Sequence, residues 1–258
     1  MNSTTVRLLL LGTGKIATRH ADALKDLPSG AEGQILAADP NPAAREKFQR
    51  KYPQAQIFES AESLLSLPAT SDDIAVVAAP PFVHKSLAVA ALESGRHTLC
   101  EKPLAMNRSE AEEMLATAKR MGRLLGCCST RFVMTPATQE ARRIIDSGVL
   151  GDLYHVTWLD RRLRKRSGIE HQPESPWFVD KSRSGGGCLM DWGPYDFSSM
   201  HYLLQPTLVD VLSAWTASPV AGGMPQGVPC NVEFHVGAAI RLMRENGQSI
   251  HVTYERSA

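Results

Sequence analysis

The sequence predicts an α/β protein of two domains, with a parallel sheet wound with helices in the first and a mostly antiparallel open sheet in the second. In residues 1–125, short β-rich runs alternate with longer segments in which apolar residues recur at helical spacing. In residues 126–258 the alternation stops, and strand patterns follow one another around one long helical pattern. A length of 258 residues is sufficient for two ordinary domains.

Each strand of the first domain is expected to lead into a helix, because turn residues close the apolar runs. The last helix has the clearest beginning, since Asn107 or Ser109 can cap it and acidic residues follow in its first turn. The predicted strands cover residues 6–11, 34–38, 74–78, 98–100 and 124–127, and the predicted helices cover residues 15–25, 43–51, 60–66, 83–94 and 109–121.

The second domain is predicted to hold a meandering sheet with one helix on its face. The predicted strands cover residues 153–160, 207–217, 233–242 and 249–255, with a long polar stretch at 161–184, a helix at 188–204 and a loop at 222–227. Pro194 falls inside this helical pattern. Because proline is tolerated only in the first turn of a helix, we expect the helix to begin near Met190 or later.

Composition excludes several classes of protein. A formal net charge of +1 lacks the basic excess of a nucleic-acid binder. No apolar run reaches the roughly 18–20 residues that span a bilayer, and the leucines at 8–11 are too few for a signal peptide. The five cysteines lack the spacing of zinc ligands or of a disulfide framework. We therefore expect a cytoplasmic protein with buried or free thiols and no metal site.

A glycine-rich segment follows the first strand directly and opens a helix, as a dinucleotide-binding loop requires. Two glycines permit the tight turn and the approach of a pyrophosphate, and Ala17 permits close helix packing. Asp39 ends the second strand, where a carboxylate accepts hydrogen bonds from ribose hydroxyls and repels a 2′-phosphate; alternatively, it only begins a turn. The predicted cofactor is NAD, with NADP disfavoured, bound at Gly12, Thr13, Gly14, Lys15, Ile16 and Asp39.

Two further segments end strands of the parallel sheet, at the edge where ligands of such sheets bind. Ala79, Pro80 and Pro81 follow the third predicted strand and are expected to border the cofactor, together with His84. For His84, a position at the surface or at a helix start is an equally good interpretation.

Glu101 and Lys102 close the next strand, and both are assigned to the cofactor site. Lys102 could orient a substrate hydroxyl and shift its protonation. The alternative is an exposed ion pair of little energetic value.

Five motifs occur in one order along most of residues 6–204. They are the glycine loop at 12–17, the segment 79–84, Glu101-Lys102-Pro103, the segment 147–151 and the triglycine segment 185–193. In this combination the chain resembles the Gfo/Idh/MocA family of oxidoreductases. The resemblance implies a Rossmann domain that binds NAD(P), a C-terminal α/β domain with a large open sheet, and hydride exchange with sugars, inositols or related polyols. It also implies homodimers or homotetramers formed through that sheet.

The resemblance assigns roles to three residues. Lys102 matches the catalytic lysine of the family, and Asp191 matches the aspartate of its triglycine motif. The position four residues later is usually a histidine that acts as general acid/base, and here it is Tyr195, as in some relatives. The expected mechanism holds a carbinol with Lys102 and Asp191 while Tyr195 and Lys102 remove its proton. The alternative for Tyr195 is a buried core tyrosine.

Weaker signals concern the substrate and the extent of the chain. Arg131 precedes an aromatic residue near the family's substrate region, and Trp177 lies in the long polar stretch, so both are candidate substrate contacts. The basic run 161–166 is expected to be a solvated loop at the active-site mouth. Family members usually continue with further strands, so the second domain is expected to be incomplete. The replaced histidine leaves open a second function, a regulator that binds NAD(P) without turnover.

Overall fold

The computed structural model describes residues 4–27, 31–162, 174–218, 227 and 230–257. The chain forms two compact units, Met1–Cys128 and Ser129–Ala258. Of the predicted loop at 222–227, only Gly227 lies within the described residues, and of the basic run at 161–166, only Arg161 and Arg162 do.

The sheet of the first unit is entirely parallel, as predicted, and has six strands where five were expected. In the spatial order β3-β2-β1-β4-β5-β6, β1 adjoins both β2 and β4, which opens a crevice at the carboxyl ends of these strands. The strands are β1 (Thr4–Leu11), β2 (Ala31–Ala38), β3 (Gln56–Phe58), β4 (Asp73–Val77), β5 (His97–Cys100) and β6 (Leu125–Cys127). The connecting helices are α1 (Lys15–Ala23), α2 (Pro42–Lys51), α3 (Ala61–Leu65), α4 (His84–Glu93) and α5 (Arg108–Met121).

The leucine run of β1 is buried on both faces of this sheet. Leu9 and Leu11 join one apolar cluster with Met114, while Leu8 and Leu10 join the cluster on the other side. Burial on both faces explains why the strand reads as a continuous apolar run without alternation. The short β3 was not predicted, because three residues are too few to show a period.

A buried ion cluster links β1, β4 and β5 near their amino ends. Arg96 and Asp73 are fully buried, with Arg96 Nε 3.0 Å from Asp73 Oδ2. Arg7 Nε donates to Asp73 Oδ1 over 2.6 Å, and Thr70 donates to the same oxygen. Burial alone would raise the pKa of Asp73, but the hydrogen bonds from Arg7 and Thr70 lower it to about 2. The carboxylate therefore stays charged and paired at neutral pH.

The second unit holds a four-stranded sheet in the order β7-β10-β9-β8. Only the β7–β10 pair is parallel among these strands, which confirms the predicted, mostly antiparallel sheet. Met200 and Leu204 of the long helix α8 pack with Ile250 and Tyr254 in the core. The elements are α6 (Pro136–Asp146), β7 (His155–Asp160), α7 (Lys181–Ser184), α8 (Cys188–Leu204), β8 (Pro206–Ala217), β9 (His235–Arg244) and β10 (Ser249–Ser257).

Helix α6 was not predicted, although its beginning carries a local signal. Thr135 is the N-cap and its hydroxyl accepts a hydrogen bond from the Thr138 amide, while Pro136 occupies the first helical position. A threonine followed by proline is a typical helix start.

The predicted helix at 188–204 is confirmed as α8, but the later start expected from Pro194 was wrong, because the helix begins at Cys188 and Pro194 lies in its interior. The cause is a contact distant in sequence. The Glu233 carboxylate accepts hydrogen bonds from the amides of Gly187 and Leu189, over 2.9 and 3.1 Å. A carboxylate at a helix N-terminus satisfies free amides and the helix dipole, which offsets the bond lost at Pro194. No helix in the described ranges is both long and apolar enough to cross a bilayer.

Replacing Asp73 with alanine should lower the free energy of unfolding by about 3–5 kcal/mol, because it leaves the buried Arg96 without its carboxylate. Urea denaturation at pH 7 measures the loss. Glu93→Ala is the control, since it removes an exposed ion pair with Arg120 worth about 1 kcal/mol or less. Equal effects of the two variants would contradict a structural role for the buried cluster.

Candidate active site

The glycine loop forms the turn from β1 into α1. Gly12 has φ +109°, and a Cβ there would lie 2.4 Å from the Ala78 carbonyl oxygen, so no other residue fits without backbone movement. Gly14 is the N-cap of α1, makes no side-chain capping bond, and has open space where a Cβ would point. The N-terminus of α1 thus has no side-chain cap and an open approach at Gly14, the arrangement in which a helix binds a pyrophosphate. Lys15 and Ile16 are exposed in this first turn.

Asp39 combines the two interpretations given to it from the sequence. Its Oδ1 accepts a hydrogen bond from the Asn41 amide over 2.8 Å, which forms the turn. Its Oδ2 accepts from the Thr13 amide and hydroxyl, over 2.9 and 3.2 Å, which ties the turn to the glycine loop. The carboxylate is half-exposed and retains acceptor capacity for ribose hydroxyls. These residues fit an adenine dinucleotide.

His84 is fully buried, so its interpretation as a surface residue was wrong, although it does begin α4. Its Nδ1 lies 2.7 Å from the Pro103 carbonyl oxygen and its Nε2 lies 2.8 Å from that of Ala79. The ring therefore links the loop after β4, which continues into Pro80 and Pro81, to the loop after β5. Burial lowers the pKa of His84 below its ordinary value despite both carbonyls. A neutral imidazole donates to one of these carbonyls at a time.

Glu101 is buried beyond the end of β5 and bonds to α1. Its Oε1 lies 2.9 Å from His20 Nε2, and its Oε2 accepts a hydrogen bond from the Lys102 amide over 3.2 Å. Burial opposes the charge, but His20 and the Lys102 amide outweigh it and hold the pKa of Glu101 below its ordinary value. Lys102 is half-buried, and its peptide bond to Pro103 is cis. The carboxylate thus positions the Lys102 backbone, a role that the sequence did not reveal.

Tyr195 lies on α8 in the second unit, 8% exposed. Its ring packs edge-on against Phe132, with centroids 5.2 Å apart, and against Trp192, with centroids 5.9 Å apart. Tyr195 lines a cavity of about 510 Å³ together with these two rings and Trp158. Asp191 is half-buried in the first turn of α8, where its charge also suits the helix dipole.

A buried ion network forms the floor of this cavity. Arg256 Nε and Nη2 donate to the two oxygens of Asp196, over 2.5 and 2.7 Å, and Tyr254 donates to Asp196 Oδ2 over 2.9 Å. Arg256 Nη1 lies 3.0 Å from Asp160 Oδ2, at an angle outside hydrogen-bond geometry. Burial and Asp196 raise the pKa of Tyr254. The network joins β10 to α8 one residue beyond Tyr195, and no local pattern of residues indicates it.

The two candidate substrate residues are not among those that line this cavity, although Arg131 contacts one of them. The Arg131 side chain is exposed and stacks over its neighbour Phe132, with the guanidinium carbon 5.3 Å from the ring centroid. Trp177 stacks on Phe178 at 3.9 Å between centroids. Substrate contacts for both residues stay predictions.

Two family models together match nearly all of the chain. One, described as an oxidoreductase family with an NAD-binding Rossmann fold, matches residues 6–128, and the other, the GFO/IDH/MocA C-terminal domain, matches residues 138–258. The chain belongs to the Gfo/Idh/MocA oxidoreductase family. This confirms the family suggested by the five motifs. The first unit is therefore the NAD-binding Rossmann domain of the family.

Several Gfo/Idh/MocA relatives are similar over most of this chain. D-glucoside 3-dehydrogenase of Escherichia coli K12 is 30% identical over 209 residues, which are 79% of this chain and 55% of that protein. Human trans-1,2-dihydrobenzene-1,2-diol dehydrogenase is 31% identical over 195 residues, 74% of this chain and 54% of that protein. The chain spans about half the length of these curated relatives.

A solved structure of levoglucosan dehydrogenase with NADH and levoglucosan has the same fold. Its TM-score is 0.79 at 23% identity, over 99% of this chain and 68% of that one.

The lowered pKa of His84 predicts that the free energy of unfolding falls as the pH is lowered. Neutral His84 stabilises the fold fully above its ordinary pKa of about 6.5, and this contribution is lost as pH falls through the lower folded value. Between pH 7.5 and pH 5, the free energy of unfolding of His84→Gln should therefore fall less than that of the wild type. The difference is at most about 1.4 kcal/mol per pH unit. Urea midpoints at the two pH values measure this.

The control is His251→Gln, which changes an exposed histidine and should retain the wild-type slope. A His84→Gln slope equal to that of the wild type would show that His84 titrates alike in both states.

Proposed function

We propose that this chain is an NAD(H)-dependent oxidoreductase that exchanges hydride with a CH–OH carbon of a sugar, inositol or related polyol. The observation that carries the proposal is the position of Lys102, which follows β5 at the sheet edge that holds the glycine loop, with its amide fixed by Glu101. The named activities of the D-glucoside, dihydrodiol and levoglucosan dehydrogenases support the substrate class. Bound NAD supplies the hydride acceptor.

The contacts within the first unit indicate which of its residues would hold the cofactor. The amides at the start of α1 would bind the pyrophosphate, and Asp39 would accept hydrogen bonds from the adenosine ribose. The Asp39 carboxylate repels a 2′-phosphate, so NAD is favoured over NADP. Ala79, Pro80 and Pro81 would border the nicotinamide half, with His84 fixing their loop to Pro103.

We assign proton transfer to Tyr195 and Lys102. The Tyr195 hydroxyl, as phenolate, would take the proton of the substrate hydroxyl while hydride leaves the carbon, and Lys102 would stabilise the resulting charges. A tyrosine has an ordinary pKa of about 10, and a cation near it lowers that value towards neutrality. Asp191 would accept a hydrogen bond from a substrate hydroxyl.

The cavity beside Tyr195 favours an uncharged substrate. Its two arginines are each matched by an aspartate: Arg256 is bonded to Asp196, and Arg162 lies 3.2 Å from Asp160. Among the described residues that line the cavity, no net charge is left to attract an anion, while aromatic rings and paired polar groups suit the carbon and hydroxyl faces of a polyol.

A catalytically silent NAD(P)-binding regulator is the second candidate, and Tyr195 in place of the usual histidine is the observation that favours it. The two candidates differ in one measurement, the absorbance of reduced nicotinamide when sugars, inositols and dihydrodiols are offered with NAD. NAD binding by calorimetry without turnover on any of them would favour the regulator.

The proposed function includes a location in the cell and an oligomeric state. We propose a cytoplasmic enzyme, in keeping with the free thiols of Cys100, Cys127, Cys128 and Cys188. We also propose a homodimer or homotetramer formed through the second sheet. Leu208, Val211 and Trp215 are exposed on β8, which supports a partner on that strand.

Lys102→Ala should lower kcat by about a hundredfold or more with the best substrate of that panel, because it removes a group that acts in proton transfer. NAD affinity should change little, since the pyrophosphate and ribose contacts are retained. Lys85→Ala, which removes an exposed lysine paired with Glu113, is the control. Unchanged turnover in Lys102→Ala would remove this lysine from the chemistry.

Tyr195→Phe should also lower kcat by about a hundredfold, because the ring keeps its packing against Phe132 and Trp192 but loses the hydroxyl. Tyr202→Phe on the same helix is the matched control, since its hydroxyl donates to Gln139 outside the cavity. Thermal melts verify that both variants fold. If Tyr195→Phe turned over as fast as Tyr202→Phe, the group that takes the substrate proton would lie elsewhere.

A further inference from the structure

Three side chains of different chemistry converge in the first unit, and we refer to His20, Glu101 and Cys128 as the His-Glu-Cys cluster. One ligand atom of each lies within 4.8 Å of those of the other two. They come from three separate places: helix α1, the residue after β5, and the 3₁₀ turn that follows β6. The cluster is therefore a product of the fold, and no spacing in the sequence indicates it.

The three side chains of the cluster carry the kinds of ligand atom that bind a zinc ion. An imidazole nitrogen, a carboxylate oxygen and a thiolate sulfur bind Zn²⁺ at about 2.0–2.3 Å, whereas Ca²⁺ and Mg²⁺ take oxygen ligands. Three protein ligands leave the fourth tetrahedral position for water. His20 Nε2 and Glu101 Oε1 are 2.9 Å apart, and a small movement to about 3.3 Å would let both bind one tetrahedral ion.

The surroundings of the cluster suit an ion that enters from solvent. The side chains of His20 and Glu101 are 17% and 11% exposed, so the site is accessible yet mostly shielded from water. Glu101 uses Oε2 for the Lys102 amide, which leaves Oε1 for a metal. The neighbouring thiol of Cys100 is fully buried and lies 3.7 Å from the Leu104 carbonyl oxygen, whereas Cys128 is partly exposed.

We propose that His20, Glu101 and Cys128 form a zinc site completed by water. On binding, the Cys128 thiol loses its proton to solvent and its sulfur bonds to Zn²⁺, with no change in oxidation state. The bond between His20 and Glu101 is replaced by a bond from each to the ion. The site lies within one unit and does not depend on the proposed hydride transfer.

Calorimetric titration of the metal-free full chain with zinc chloride tests the proposal. We expect one saturable equivalent in the wild type. His20→Ala and Cys128→Ser should each weaken binding by more than the roughly 10–100-fold cost of losing an outer-shell partner. His251→Ala and Cys230→Ser, which change exposed residues outside the cluster, should bind as the wild type does. Absence of saturable binding in the wild type, or equal affinity in all variants, would overturn the proposal.

A second measurement on the wild type does not depend on the variants folding. Alkylation with iodoacetamide, mapped by mass spectrometry, should show zinc-dependent protection of Cys128 and none of Cys230. Equal labelling of Cys128 with and without zinc would overturn the assignment of the sulfur ligand. Turnover plays no part in either readout, so failure of the zinc site and failure of the proposed oxidoreductase function are distinguishable.

Discussion

The candidate cofactor edge depends on one close approach of backbone to backbone, that of Gly12 to Ala78. The Gly12 amide donates to the Ala38 carbonyl, and the Ala78 amide donates to that of Leu11, so β1 is paired on both sides to its end. A side chain at Gly12 would meet the Ala78 oxygen at 2.4 Å. Only glycine lets the chain turn there, and that turn brings Thr13 to Asp39 and the first amides of α1 to the edge of the sheet.

Side chains then fix the two loops that this turn faces. His84 links the carbonyls after β4 and β5, while Glu101 holds the amide of Lys102. The backbone of the lysine is thus restrained immediately before it by a carboxylate and immediately after it, at Pro103, by an imidazole. A reactive group on so restrained a backbone loses less conformational freedom when it meets a substrate, which is how rigid loops contribute to rate.

The parts of the fold and site that could be predicted from sequence are those that carry their signal locally. Gly12 and Asp39 each follow a strand directly and Lys102 follows one residue later, and the regular alternation in the first unit reveals the strand ends. The rest depends on residues far apart in the chain. The start of α8 is determined by Glu233, which bonds Gly187 across 46 positions, and the burial of His84 by a carbonyl 19 positions away. No periodicity carries such information, whereas α6 had a local signal in Thr135 and Pro136.

Glu101 shows how one buried carboxylate limits what its neighbours can do. Its two oxygens serve His20 and the Lys102 amide, and the proposed zinc ion would take the first of these contacts. Because Glu101 is also assigned to the cofactor edge, zinc and NAD would draw on the same carboxylate. Metal binding at this cluster would therefore compete with the cofactor for Glu101.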